Sequence, residues 1–354
     1  MKYGLIVFKE TENLGDDIQS YAAYRLLPQV DYFIEREKLD LFCPDKKEYV
    51  LTIFNGWFLY NKTNFPPSPY IYPLYISTHF SEYSQNGITT EHINNYFKKS
   101  IKNYLPIGCR DTSTMKLLNS KKIANYFSGC LTLTIKPFNN IKKKNHILLV
   151  DTPKEIENIF AKQKKYDYKM ETNRLYKDIN SKLTWSERVE NVENMLKKYQ
   201  ESKLVITTRL HCALPCLALD VPVILIYDNE EIFTKDRLGD YTKYIKSYNK
   251  KEFIKQYKKI LSGKIENKDI YQIKENLLNI VKKFLSSKPK KIILPEINYF
   301  KEYYVEKKKN IDAVIEASKA KNAVDERKMI NLEYAVKYWK KEYNILLLEM
   351  EKNK

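Results

Sequence analysis

The sequence predicts an α/β protein with two Rossmann-like, doubly wound units facing a shared cleft, followed by a C-terminal helical appendage. Two observations carry this. Short, continuous apolar runs alternate with segments of helical period along the first 250 or so residues, the pattern of parallel strands buried on both faces and linked by crossover helices. The polar, basic stretch KPFNNIKKKN (136–145) then interrupts that alternation and divides it into two similar halves. The units so delimited are residues 1–140, 141–285 and a basic tail, 286–354.

In the first half, Tyr3–Phe8 reads as a strand and Ile18, Tyr21, Ala22 and Leu26 as the apolar stripe of the helix after it. The loop between them holds Asn13, Gly15, Asp16 and Asp17, where the adjacent carboxylates are suited to capping the helix. Neither GxGxxG nor a P-loop pattern occurs there, which counts against dinucleotide and ATP binding. Val50–Asn55 is a second strand, running out at Asn55, Gly56 and Trp57. Ile71–His79 is a third, running out at Ser77, Thr78 and His79. Amide, hydroxyl and flat-ring groups at two strand ends suit a sugar, although a Tyr-rich core with solvated polar ends (29 Tyr in 354 residues) would look the same. LPIGCRD (105–111) ends a further strand in Arg110 and Asp111, with a helix from Thr112 to about Lys122, and YFSGCLTLTI (126–135) reads as a buried strand.

The second half predicts a strand at His146–Asp151, a helix at Pro153–Lys162, a strand at Tyr166–Glu171 and a long helix from Thr184 to Tyr199. Thr184 or Ser186 with Glu187 marks the start of that helix. The stretch KLVITTRLHCALPCLALDVPVILIYD (203–228) is strand, helix, strand, with Thr207 and Thr208 expected to cap the helix. Arg209 and His211 therefore fall where an open α/β sheet places its ligands, beside the N–H groups of a helix start that begin at Leu210. Guanidinium, imidazole and helix dipole together make an anion site, unless His211 only packs the helix. Arg110 and Arg209, at two strand ends, are what a donor with two separate anionic groups requires.

Composition narrows the function class without choosing one. A formal charge of +18 (62 Lys+Arg against 44 Asp+Glu) favours polyanions, anionic membrane surfaces or small anionic substrates. Five scattered cysteines fit no metal-ligand spacing and read as reduced core residues. With no signal peptide and no apolar run of transmembrane length, the protein is expected in the cytoplasm, peripheral at the inner face of the membrane. Beyond Lys250 two helices (Phe253–Ile260, Ile273–Phe284) are expected to close the fold. In the tail Leu332, Val336, Trp339, Tyr343, Leu346 and Met350 recur at spacings of four and three. That stripe suits a homo-oligomeric coiled coil, a membrane-surface helix, or packing on the protein's own body.

With these pieces placed, the chain resembles the polysaccharide pyruvyl transferase family. The resemblance is carried by NLGDDIQSYAAYRLLP (13–28), FNGWF, ISTHF, IGCRDTSTMKLL with YFSGCLTLT (107–134), and VITTRLHCALPCLALDVPVILIY, and it covers about residues 1–245. The RLH element on a strand-to-helix turn is its most specific part. Two departures stand out: Asp220 replaces the usual Gly before the Val-Pro-Val segment, and Asp228, Asn229 and Glu230 replace the usual Lys after the last strand.

The resemblance implies a GT-B-like fold and transfer of a pyruvyl group from phosphoenolpyruvate to two hydroxyls of one sugar. On that basis Arg110, Arg209, Thr208 and Leu210 are the expected donor-binding residues. His211 with Asp16 or Asp17 is expected to move protons, and Asn13, Asn55, Trp57 and His79 to meet the acceptor. No metal and no further cofactor is expected. The expected partners are phosphoenolpyruvate and a sugar or lipid-linked oligosaccharide, not nucleic acid. A glycosyltransferase with a nucleotide-sugar donor and a non-enzymatic basic binding module are the alternatives.

Overall fold

The computed structural model describes residues 1–46, 48–58, 65–80, 83–84, 87–88, 95–228 and 239–289. The tail beyond Pro289, with its heptad stripe, and Asn229 and Glu230 lie outside the described residues.

Strands and helices alternate as the hydrophobic pattern requires. In chain order they are β1 (Lys2–Val7), α1 (Leu14–Tyr24), β2 (Tyr32–Glu35), β3 (Val50–Phe58), β4 (Ile71–Phe80), a short antiparallel hairpin of β5 (Tyr83–Ser84) and β6 (Gly87–Ile88), α2 (Asn95–Ile101), β7 (Ile107–Cys109), α3 (Thr112–Ser120) and β8 (Asn125–Phe127). The second series is β9 (Ile147–Val150), α4 (Lys154–Lys162), β10 (Tyr168–Glu171), α5 (Lys177–Asn180), α6 (Trp185–Glu201), β11 (Leu204–Thr207), α7 (Leu210–Ala218), β12 (Val223–Tyr227), β13 (Lys246–Asn249), α8 (Lys250–Ser262) and α9 (Tyr271–Leu285).

Two sheets result, and every pair in them is parallel. The first has the order β2-β1-β3-β4-β7-β8 and the second β10-β9-β11-β12-β13. Each sheet therefore reverses its strand order between its first and third strands, β1/β3 and β9/β11. A crevice opens at such a switch point beyond the carboxyl ends of the strands. The main core joins the two sheets: Leu14, Ile18 and Ala22 of α1 and Leu131 and Leu133 belong to the same buried cluster as Cys212, Leu214 and Leu217 of α7 and Leu277 and Val281 of α9. Each fully buried Leu or Ile contributes about 1.5–3 kcal/mol, so the two halves are held together by apolar burial as well as by polar contacts. The remaining faces carry separate clusters, around Phe54, Tyr75 and Phe80 in the first half and Phe160, Ile206 and Phe253 in the second.

Several local expectations change. YFSGCLTLTI is not one strand: β8 ends at Phe127, Gly129 turns the chain at φ +78°, and Leu131–Thr134 is a 3-10 turn. Thr134 Oγ1 donates to Leu131 O at 2.7 Å within that turn. Edge strands β2 and β13 are additions to the sequence reading, each four residues long. Asn13, not Asp16 or Asp17, caps α1, its Oδ1 accepting from Gly15 N at 3.0 Å. The capping box at Thr184 and Glu187 is present in full. Of the cysteines, Cys109, Cys130, Cys212 and Cys216 are buried thiols, but Cys43 is exposed. Asp220, where the resemblance expects Gly, takes the left-handed conformation at φ +53° that Gly adopts at no cost and Asp tolerates better than most residues.

Candidate functional site

The carboxyl ends of the two sheets meet through the loops that follow β1, β7, β10 and β11. Leu14 N donates to Asn173 O at 2.8 Å and Leu175 N to Glu12 O at 2.8 Å, so the β1–α1 and β10–α5 loops are stitched backbone to backbone. Gly15, at the start of α1, lies directly against His211 at the start of α7: a Cβ on Gly15 would come 2.9 Å from His211 Cβ.

Arg110 reaches the same point from the first sheet. It follows β7, is 4% exposed, and is fixed at its backbone by Arg110 N→Thr78 O (2.9 Å) and Tyr241 OH→Arg110 O (2.7 Å). Its Nη1 donates to Gln19 Oε1 at 3.0 Å and lies 3.4 Å from His211 Nε2. Arg has no acceptor, so in this contact the imidazole nitrogen is the acceptor. Arg110 Nε is 3.5 Å from Asp111 Oδ2.

Asp111 caps α3 by accepting from Thr114 N at 3.0 Å, and its other oxygen takes His79 Nδ1 at 2.6 Å. Burial acts to raise the Asp111 carboxyl, but the adjacent His79, Arg110 and the Thr114 amide outweigh it and hold the group below the usual carboxylate range. Trp57 packs edge-on to His79, with ring centroids 5.6 Å apart.

Arg209 occupies the second switch point. As the N-cap residue of α7 it leaves the sheet just after β11, and its Nε donates to Asp151 Oδ2 at 3.0 Å. Asp151 follows β9 with φ +49° and also accepts from Thr172 Oγ1 and Asn173 N. Thr207 and Thr208 do not cap α7: Thr207 Oγ1 accepts from Arg209 N, and Thr208 Oγ1 donates to Asp151 O at 2.8 Å. The first bonds of α7 run from Cys212 N and Ala213 N to Arg209 O, so the Leu210 and His211 amides form its leading turn.

The two adjacent carboxylates part company. Asp16 is partly exposed and accepts from Thr11 Oγ1 at 2.6 Å and Gln19 Nε2 at 3.2 Å. Asp17 is 1% exposed and paired with Arg188 of α6 at 2.9 Å. Arg188 also donates to Phe8 O, Lys9 O and Asn180 O, tying α6 to the end of β1. Burial pushes the Asp17 carboxyl up to about 6 against the opposing pull of Arg188.

Of the residues expected from sequence, His211, Arg110, Asp16 and Asn13 thus gather where the sheets meet, with Arg209, Thr208 and Leu210 on the adjoining turn. Asn55 and His79 stand behind this surface. Both are buried, Asn55 donating to Gln19 O at 2.7 Å and His79 bonding Asp111, which leaves partly exposed Trp57 as the ring nearest solvent on that side. Gln19, Asp151 and Arg188 are the participants that sequence patterning passed over. Their one local signal is a polar side chain on the apolar face of a helix or at the end of a buried strand. Among the described residues, no group of three or more His, Cys, Asp or Glu side chains could hold a metal ion, and no helix is long and apolar enough to cross a membrane.

Residues 13–230 match the family model described as polysaccharide pyruvyl transferase. Among curated proteins no match was found. Among solved structures, the chain is similar to a functionally uncharacterised protein, KP1_0663 from Klebsiella pneumoniae subsp. pneumoniae NTUH-K2044, at 14% identity and a TM-score of 0.40, over 70% of this chain and 92% of that one.

Proposed function

The chain belongs to the polysaccharide pyruvyl transferase family, and on that premise we propose that it transfers pyruvate from phosphoenolpyruvate to two hydroxyls of one sugar, forming a cyclic ketal. The observation that carries the reading is the Arg110 guanidinium set against the His211 imidazole at the junction of the two sheets.

Phosphoenolpyruvate presents a carboxylate and a phosphate. Arg110 and Arg209 each take one, and Thr208 and the leading amides of α7 at Leu210 and His211 supply further donors. In the overall reaction C3 of the enol gains a proton, C2 gains two sugar oxygens, and the bond from C2 to the phosphate oxygen breaks. The sugar's two hydroxyl protons balance this, one ending on C3 and one on phosphate, so no redox partner enters. His211 serves the departing phosphate as acid, and Asp16, the more exposed of the adjacent carboxylates, serves the acceptor hydroxyl as base. Asp17 acts as a strut through Arg188. Asn13 and Trp57 face the acceptor, with Asn55 and His79 supporting them from behind.

In this reading residues 1–140 form the acceptor side and 141–285 the donor side of a GT-B-like pair of domains. The acceptor is a cell-surface polysaccharide or its lipid-linked precursor, reached in the cytoplasm at an anionic membrane surface through the basic tail. Binding of the full-length protein, but not of a chain ending near Lys309, to anionic vesicles tests that last step.

The activity is tested by incubating the protein with phosphoenolpyruvate and a panel of methyl hexosides and lipid-linked sugars. The expected result is release of phosphate with a mass gain of one pyruvyl unit on the sugar. Turnover of a nucleotide sugar in its place, with phosphoenolpyruvate untouched, overturns the reading.

A further inference from the structure

We propose that Gln19 is a positioning residue that couples the Arg110–His211 pair to Asp16 through the two ends of its amide. The inference rests on the pyruvyl-transfer reading for the roles of Arg110 and Asp16, but the coupling itself is read from geometry. Gln19 is 2% exposed and lies four residues into α1 from Gly15. Its Oε1 accepts from Arg110 Nη1 at 3.0 Å, while its Nε2 donates to Asp16 Oδ1 at 3.2 Å and to Gly15 O at 3.4 Å. Its backbone oxygen accepts from Asn55 Nδ2 at 2.7 Å, which pins this turn of α1 to the end of β3. A continuous path of polar contacts therefore runs from His211 Nε2 through Arg110 and Gln19 to Asp16 and on to Thr11 Oγ1.

The residue type at the centre of this path is dictated by its neighbours. Arg offers only donors and an ionised carboxylate only acceptors, so the side chain between them must accept at one end and donate at the other. A primary amide of Gln length does both. A carboxylate here would hold Arg110 as well, but would neutralise it and repel Asp16. The neutral amide orients the guanidinium while leaving its charge for an incoming anion, and its other end holds Asp16 Oδ1 in place.

The test compares Gln19→Glu with Gln19→Leu and Gln19→Met by two measurements: phosphoenolpyruvate binding by calorimetry, and the carbon-13 chemical shift of the Asp16 carboxyl at one fixed neutral pH, which reports the bond from Gln19 Nε2. Glu is isosteric and retains the contact to Arg110, so if Gln19 only fills space it is the mildest change. Coupling predicts the reverse order, with phosphoenolpyruvate binding weakened at least tenfold in Gln19→Glu and less in the apolar variants. The Asp16 carboxyl signal should move in all three, because each removes the N–H donor that Asp16 Oδ1 accepts from. Wild-type affinity in Gln19→Glu, or an Asp16 carboxyl signal unmoved in every folded variant, overturns the proposal. If wild-type protein does not bind phosphoenolpyruvate, the pyruvyl-transfer reading fails instead, and the Asp16 carboxyl signal, which needs no donor, still decides the coupling. Far-UV circular dichroism identifies any variant that fails to fold, and Gln19→Glu alone then distinguishes the two outcomes.

Discussion

Gly15 and His211 are in van der Waals contact across the junction of the two sheets, with room for no atom between them: a methyl group on Gly15 would sit 2.9 Å from His211 Cβ, 3.1 Å from Asn13 Oδ1 and 3.3 Å from His211 Nδ1. The glycine is thus required by close approach. The nearest atom is the Cβ of His211, held by its own backbone, so it cannot swing aside as the end of a long side chain could.

Gly15→Ala sets two effects against each other. Ala improves the helix propensity of α1 by about 1 kcal/mol, whereas forcing an extra carbon into a packed junction costs about 1–3 kcal/mol. The net effect is a destabilisation of up to about 2 kcal/mol, and the clash is relieved by moving His211 away from Arg110. The expected outcome is a loss of at least about tenfold in kcat/KM for phosphate release, with a melting temperature lowered by at most a few degrees. Wild-type kinetics in this variant would show that His211 need not hold its present position.

Arg110 and Arg209 should differ in how their loss is felt. Either Ala substitution leaves a donor anion unpaired and is expected to cost roughly 2–4 kcal/mol in kcat/KM. Arg110, however, is buried beside Asp111 and Gln19. Its removal strips a cation from a buried carboxylate, so Arg110→Ala also destabilises the fold, by about 2–4 kcal/mol. Arg209 keeps 36% of its side chain exposed, and Asp151 retains Thr172 and the Asn173 amide, so Arg209→Ala should unfold near the wild-type midpoint. Urea denaturation alongside kinetics separates the two. Near wild-type turnover in either variant removes that Arg from the site.

The parts of this architecture visible in sequence are those set by contiguous residues. Leu204–Thr207 and Val223–Tyr227 are aliphatic runs long enough to declare buried parallel strands, and the RLH turn between them announces the site. Gln19 and Asn55 were not legible as partners, because their bonds join residues 91 and 36 positions apart and depend on which strands become neighbours. Asp16 and Asp17 are indistinguishable by local pattern; only the approach of Arg188, 171 residues on, separates them. The alternating Leu and Thr of residues 131–134 imitate a strand, but those hydroxyls are consumed locally after the turn at Gly129, and the segment packs into the core shared with α1 and α7.

That Asp17–Arg188 contact predicts a specific pH dependence. Burial raises the Asp17 carboxyl from its ordinary 3.8 to about 6, with Arg188 and the Asn180 amide pulling the other way. A raised carboxyl binds its proton more tightly in the folded state than in the unfolded chain. Its contribution to stability is therefore fully present below about pH 4 and is lost as pH rises through about 6. The shift corresponds to at most about 3 kcal/mol, reduced to the extent that Arg188 holds the ionised form in place. Asp17→Asn cannot titrate, and Arg188 keeps its bonds to Phe8 O, Lys9 O and Asn180 O in that variant. The stability of wild type measured against Asp17→Asn should therefore fall between pH 4 and 7 and be flat above it. Denaturation midpoints for both proteins across that range check the sign. A wild-type stability that rises relative to Asp17→Asn over the same interval would mean that Arg188 outweighs burial and holds Asp17 ionised throughout.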